Sequence, residues 1–201
     1  MTFEVQQTRW DRVIRRVSGS IGPGSRVGET LPELFPVLDV ENLQPELYLL
    51  GGTLLAMGSS TLTAGGGLTA NIGIFNPAGS GKLITVTRAW VFISNSVSIL
   101  WSTNHTAFTT LVTDTISRDT RVPLPELPVG QIREETAAAA ITPNGRALVP
   151  ANETFILSDD NGIAVLAPGT GFAIGSENFI VTLTASFMWK ERVAEQSELS
   201  L

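Results

Sequence analysis

The stretch Asn178–Trp189 reads Asn-Phe-Ile-Val-Thr-Leu-Thr-Ala-Ser-Phe-Met-Trp, and it decides the fold class of the chain. From Phe179 onward every second residue is apolar, while Thr182, Thr184 and Ser186 occupy positions between them. Because successive side chains of a β-strand point to opposite faces, this alternation predicts a strand with one buried face and one outward face.

Comparable runs precede this stretch. Lys82–Ile93 is rich in β-branched and aromatic residues and predicts a second strong strand. Shorter runs bring the total to about eight strands at spacings of roughly 10–15 residues. Loops rather than helices separate them, and residues 134–141, which include four alanines, predict a short helix at most. The pattern predicts an all-β fold, an antiparallel β-sandwich or jelly roll with an extended N-terminal arm that carries a short helix.

Three local predictions concern the middle of the chain. Residues 108–116 predict one strand, and the proline-rich residues 121–133 predict a loop. Residues 153–167 predict a β-hairpin, because Asn161-Gly162 is a pair that favours tight hairpin turns.

The composition limits the possible functions. The chain has 201 residues, a net charge of −6 and no cysteine. An acidic chain is poorly suited to nucleic acid as a main partner, and the lack of cysteine excludes disulfides and thiol chemistry. No stretch of 18 apolar residues predicts a membrane helix, and no signal peptide is visible. We therefore expect no nucleic acid partner, no membrane contact and synthesis in a cytoplasm.

Residues 8–18 predict an amphipathic helix. Its apolar residues recur at the spacing of one helix face, and arginines lie off that face. Because so short a helix is marginal alone in water, it needs a surface to dock on. The apolar stripe is formed by Trp10, Val13, Ile14 and Val17, and the arginines expected at the rim of the contact are Arg12, Arg15 and Arg16.

A second candidate contact follows in the same part of the chain. Pro32, Pro36 and Pro45 are spaced too closely for a helix or a central strand. The apolar residues between them predict an extended segment that lies across a sheet surface, either its own or a neighbour's. The residues predicted to bind a partner in this segment are Leu31, Leu34, Phe35, Val37 and Leu38.

These features divide the chain into three parts. Residues 1–50 are predicted to form the N-terminal arm, with the helix and the proline-rich segment. Residues 51–190 are predicted to form the β-sandwich or jelly-roll domain. Residues 191–201 are predicted to be a polar C-terminal tail.

The sequence predicts no catalytic, cofactor or metal site, and hence no enzyme. Gly79–Lys82 resembles the end of a phosphate-binding loop, but a strand follows it instead of a helix, so we interpret it as a hairpin turn. His105 has no nucleophile elbow beside it. Residues 159–161 are better explained by turn chemistry than by calcium binding. Trp90, Trp101 and Trp189 are predicted in the core or in an interface.

Three stretches together resemble structural proteins of tailed bacteriophages. They are the turn Asn76–Gly81, the run Ala167–Ile174 and the closing run Leu183–Arg192. The resemblance extends over roughly residues 70–95 and 160–192. It implies a virion protein, and within that class a capsid decoration (cement) protein: a small jelly roll, often trimeric, with an arm that reaches across neighbouring capsid subunits.

The resemblance therefore implies the major capsid protein or other virion subunits as partners, a homo-oligomer with a trimer favoured, and a location in the virion after assembly in the bacterial cytoplasm. Two alternatives stay open. One places the protein in the tail, neck or baseplate. The other is a carbohydrate-binding module for receptor recognition, in which an exposed Trp90 or Trp101 would stack on a sugar.

Overall fold

The computed structural model describes residues 53–112, 115–118, 127–159, 162–177, 179 and 181–194. Within these residues the chain is all β, as predicted, with twelve strands and no helix. The strands are β1 (Leu54–Thr63), β2 (Thr69–Phe75), β3 (Lys82–Ile93), β4 (Val97–His105), β5 (Thr110–Val112), β6 (Thr115–Ser117), β7 (Gln131–Ala137), β8 (Gly145–Val149), β9 (Thr154–Ser158), β10 (Ala164–Leu166), β11 (Gly171–Ser176) and β12 (Thr182–Val193).

The strands form two antiparallel sheets. In the first sheet β3, β12, β1 and β6 lie side by side, and both β9 and β10 pair with the free edge of β3. In the second sheet the order is β5, β7, β2, β11, β4 and β8. Most strands that follow one another along the chain therefore lie in different sheets, which gives a β-sandwich-like fold.

The main core draws on both sheets. Phe187 and Trp189 of β12 are fully buried, as is Phe172 of β11. The rings of Phe172 and Phe187 meet edge-on with centroids 6.3 Å apart, a geometry that adds roughly 0.5–1.5 kcal/mol to area burial. The alternation predicted for the last strand is confirmed from residue 181 to residue 189. Phe179 departs from it because it precedes β12, and it is 51% exposed.

The hairpin predicted over residues 153–167 is wrong. β9 and β10 do not pair with each other; they lie end to end along β3. Ser158 is opposite Arg88 and Ala164 is opposite Val86, so β9 and β10 form one interrupted edge strand along β3. The Asn-Gly signal therefore falls at the interruption between the two strands, where Gly162 has a φ of 97°.

Two further local predictions are wrong. Residues 108–116 contain not one strand but β5 and β6, which lie in different sheets. Residues 134–137, predicted as helical at most, belong to β7, which begins at Gln131 inside the segment predicted as a loop. Because β7 pairs along its length with β2, cross-strand pairing outweighs the helix propensity of alanine.

The remaining predicted parts concern the two ends of the chain. The N-terminal arm and its helix, residues 1–50, lie outside the described residues. β12 continues to Val193, so Glu191–Val193 form strand within the segment predicted as a polar tail. Residues 195–201 also lie outside the described residues.

Candidate interaction surface

The residues predicted to bind partners all lie in residues 10–17 and 31–38, outside the described part of the chain. The structure therefore brings none of them together, and their role stays a prediction. A candidate surface has to be built from the faces, edges and ends of the two described sheets.

The described residues offer little for catalysis. They contain no group of three or more His, Asp or Glu side chains that could hold a metal ion. His105 ends β4, where its Nδ1 lies 2.7 Å from the carbonyl oxygen of Thr106 and its ring packs on Phe108. Ser102 directs its hydroxyl to the carbonyl of Thr103. In addition, no described helix is long and apolar enough to cross a membrane.

A buried carboxylate lies at one end of the sandwich. The Glu191 side chain is fully buried and accepts hydrogen bonds from the backbone N–H groups of Val129, at 3.0 Å, and Gly130, at 2.8 Å. It also accepts a hydrogen bond from Nε1 of Trp189 at 2.9 Å, and Lys82 Nζ lies 3.7 Å away. The carboxylate is enclosed by these donors and is not positioned to act on a ligand. Its hydrogen bonds hold the two residues that lead into β7.

The stretches that carry the phage resemblance meet at this end. Asn76 is fully buried and donates from Nδ2 to the carbonyls of Lys82, at 2.8 Å, and Leu166, at 2.9 Å. Its Oδ1 accepts from Ser80 at 2.7 Å, and its backbone N–H donates to Thr170. The prediction of a hairpin turn here is wrong: the segment joins β2 in one sheet to β3 in the other, and the two strands do not pair. Its polar groups hold turns together and do not surround a phosphate.

The centre of the outward face of the second sheet is covered by the chain itself. Leu100 and Ala173 lie on this face and are buried beneath Phe108 and Ile141, which belong to the loops after β4 and β7. Small residues make room for this cover: a Cβ atom on Gly73 would lie 3.1 Å from the Phe108 ring. Leu111 of β5 and Leu148 of β8, at the two edges of this sheet, remain exposed.

The outward face of the first sheet carries large apolar side chains. In register across the sheet, Met188 pairs with Met57, which in turn pairs with Ile116. One row further, Trp90 pairs with Ile156. We call this the aromatic-methionine face, defined by Met57, Trp90, Phe92, Ile116, Ile156 and Met188.

The side chains of this face are partly exposed, and two arginines lie beside them. Phe92, Ile116 and Ile156 are 36%, 59% and 54% exposed. The guanidinium of Arg88 lies 5.7 Å from the centre of the Trp90 ring, and an Arg118 nitrogen lies 3.8 Å from the Met188 sulfur. Aromatic residues, methionine and arginine are enriched in protein interfaces, so the composition is that of a docking surface.

The tryptophans divide between core and surface. Trp189 is buried, and Trp101 packs against the core with its ring stacked on Phe155 at 6.2 Å. Trp90 is partly exposed on the aromatic-methionine face. The prediction of core or interface positions therefore fits Trp189 and Trp101, while only Trp90 of these three belongs to the candidate surface.

Sequence reasoning missed this surface for a definable reason. Alternation along β3 already separates Ala89, Val91 and Ile93 from Trp90 and Phe92. It does not tell which set faces the core, because both sets are apolar. One signal could have revealed the face: β3 has apolar residues on both sides, whereas its neighbour β12 has Thr182, Thr184 and Ser186 on its outward side. An apolar side of β3 next to that polar side is therefore expected at the surface.

The comparisons with known proteins leave the family open. No family model matches the chain, and no curated protein matches it.

Proposed function

We propose that the chain is a structural protein of a bacteriophage particle, a capsid decoration (cement) protein. In this proposal the N-terminal arm binds neighbouring capsid subunits, and the β domain contributes contacts between copies in a homo-oligomer, with a trimer favoured. The observation that carries the proposal is the exposed aromatic-methionine face of the first sheet, whereas loops cover the centre of the second sheet's outward face. An exposed apolar face of this kind is typical of a protein that tiles against neighbours.

The strand order supports a jelly roll as the finer description of the fold. With β9 and β10 counted as one interrupted strand and β5–β7 treated as an insertion, eight strands remain. The first, eighth, third and sixth lie side by side in one sheet, and the second, seventh, fourth and fifth in the other. Two Greek keys folded together give this order, and jelly rolls are common in viral capsid proteins and in lectins.

Particle binding is the direct test. We expect the chain to be present in purified particles from bacteria that carry the genome encoding it, at a fixed ratio to the major capsid protein. Quantitative mass spectrometry measures that ratio. Deletion of residues 1–45 is expected to abolish attachment to particles that lack the chain, because it removes the helix stripe and most of the proline-rich segment.

A matched deletion controls for nonspecific effects. Removing residues 195–201, which are predominantly polar, should leave particle binding unchanged. The proposal would be wrong if the chain were absent from particles, or if the protein without residues 1–45 still attached fully. A fixed copy number of six or twelve per particle would instead favour the neck or tail.

The carbohydrate-binding alternative rests on Trp90. Its ring is partly exposed, but Arg88 lies over it, which leaves less of the ring available for stacking on a sugar. This alternative predicts that glycans quench tryptophan fluorescence in the wild type and not in Trp90→Phe. Decoration of a capsid predicts no glycan-dependent change in either protein.

A further inference from the structure

We propose that Arg88 and Arg118 form a carboxylate-binding site on the aromatic-methionine face, and that its ligand is an acidic side chain borne on an apolar segment of a different virion protein. The inference rests on the proposed function for the premise that such a partner is present in the particle. It adds the chemistry of the contact, which the exposure of the face alone does not define.

The strand register brings both arginines to one methionine. Arg88 of β3 lies opposite Met188 of β12. Arg118 directly follows β6, and its Nη1 atom lies 3.8 Å from the Met188 sulfur. Because β1 lies between β6 and β12, these two side chains meet over β1. One arginine from each side of β12 therefore lies next to Met188 on the outward face.

Both guanidinium groups keep hydrogen-bond donors for a ligand. Arg88 lies over the Trp90 ring at 5.7 Å, a cation–π contact that leaves N–H groups available. The Arg118 contact with sulfur engages one nitrogen of a group that carries five N–H donors. Among the residues that the structure describes, neither guanidinium forms an ion pair with a carboxylate. The two contacts thus hold the arginines at the face without neutralising them.

The charge of the sheet selects an acidic ligand. Of all its strands only β12 contains a carboxylate, that of Glu191, and this side chain is buried in the core. The strands therefore place no negative charge on the outward face, although the whole chain has a net charge of −6. A carboxylate-free surface with two arginines is complementary to acidic side chains. The net negative charge opposes a polyanion such as nucleic acid or an anionic membrane, which favours single carboxylates.

The surroundings of the arginines add a requirement for apolar groups. Ile116 pairs with Met57 on the side of Arg118, and Ile156 pairs with Trp90 next to Arg88. Both isoleucines are more than half exposed. A partner that covers them buries apolar surface and also excludes water from the ion pair, which strengthens charge-assisted hydrogen bonds. The ligand that fits is therefore an aspartate or glutamate flanked by apolar side chains.

The described surface of this chain does not offer such a ligand. Every described carboxylate other than the buried one of β12 lies between two polar neighbours in sequence. These carboxylates belong to Glu134, Glu135, Glu153, Asp159 and Glu177. The described surface of a second copy is thus a poor match for the site, and the ligand is assigned to a different protein of the particle.

Binding of the full-length chain to purified particles that lack it tests the site. Arg88→Gln and Arg118→Gln each remove one charge from side chains that are exposed, so the fold should tolerate them. We expect the dissociation constant to rise about tenfold for each variant, the loss expected for a hydrogen bond to a charged group. Circular dichroism checks that the variants fold.

A matched control removes charge loss as a general explanation. Arg146→Gln changes an exposed arginine of β8 on the second sheet, where it pairs with Glu177, and should leave the dissociation constant unchanged. If the wild type binds particles and the Arg88 and Arg118 variants bind equally well, only this inference is lost and the proposed function stands. A wild type that does not bind particles at all would refute both.

Covalent coupling identifies the ligand. Arg88→Lys and Arg118→Lys place a primary amine at the site, and a carbodiimide joins such an amine to a carboxylate in direct contact with it. Mass spectrometry of the coupled particles is expected to locate the new amide at an aspartate or glutamate with apolar neighbours in a different virion protein. Coupling to another copy of this chain would overturn the inference. Loss of binding to phosphatidylglycerol vesicles in the Gln variants would also overturn it, because the ligand would then be a lipid phosphate.

Discussion

Glu191 illustrates how a charged residue can occupy a core-facing position of a strand. In β12 it continues the buried series of Leu183, Ala185, Phe187 and Trp189. Burial of a carboxylate is costly unless hydrogen bonds and an opposite charge replace the lost water. Here two backbone N–H groups, an indole N–H and a nearby lysine supply that replacement.

We predict that Glu191→Gln lowers the free energy of unfolding by about 2–4 kcal/mol. The amide has the same size, but it replaces one acceptor oxygen by a donor that faces the N–H groups of Val129 and Gly130. Urea unfolding followed by circular dichroism measures the change.

Glu177→Gln is the matched control for this substitution. Glu177 pairs with Arg146 at 3.4 Å, but both side chains are well exposed. Exposed ion pairs contribute little, so the control should change the free energy of unfolding by less than about 0.5 kcal/mol. Equal effects of the two substitutions would contradict a special role for the buried carboxylate.

At the scale of elements, the connection from β2 to β3 depends on Asn76. Its amide donates to one carbonyl in the following strand and to another at the end of β10, and its oxygen accepts from Ser80. Both amide hydrogens are therefore used to tie three chain segments together. Only asparagine supplies two donors and an acceptor at this length.

We predict that Asn76→Asp destabilises the fold by at least about 2 kcal/mol. The carboxylate has the same shape but cannot donate to the carbonyls of Lys82 and Leu166, and it brings charge into a fully buried position. Thermal or urea unfolding measures the loss. Ser80→Ala, which removes only one partner of Asn76, should cost about 1 kcal/mol. A loss for Asn76→Asp no larger than that for Ser80→Ala would argue against the bridging role.

Sequence patterns predicted the strands better than their partners. Alternation in β12 and the β-branched run of β3 are properties of single strands, so the sequence alone located them. The split of residues 108–116 between two sheets and the edge position of β9 and β10 depend on pairing with distant strands. Such register is set by contacts between residues far apart in sequence, which no local pattern records.

The candidate surface shows the same limit. The apolar stripe near Trp10 and the proline-rich segment could be proposed from their own sequence. The aromatic-methionine face could not, because Met57, Ile116 and Met188 come from three strands that are neighbours only in the folded sheet. A surface assembled from distant strands can be identified only when the strand order of the sheet is known.

At the scale of the whole molecule, the described core lies in the β domain. Its buried residues run from Ala56 to Trp189 and come from both sheets. The closure of the second sheet by its own loops adds a smaller cluster around Leu100 and Ile141, which lies in the same part of the chain.

We therefore predict that a chain beginning at residue 46 folds into a cooperative domain whose unfolding midpoint in urea lies close to that of the full chain. A single contiguous core of this kind unfolds as one unit, so circular dichroism and fluorescence of the buried Trp189 should give coincident transitions. A folded domain that fails to bind particles would assign particle binding to the arm. A chain that does not fold would show that the core needs residues beyond those it buries here.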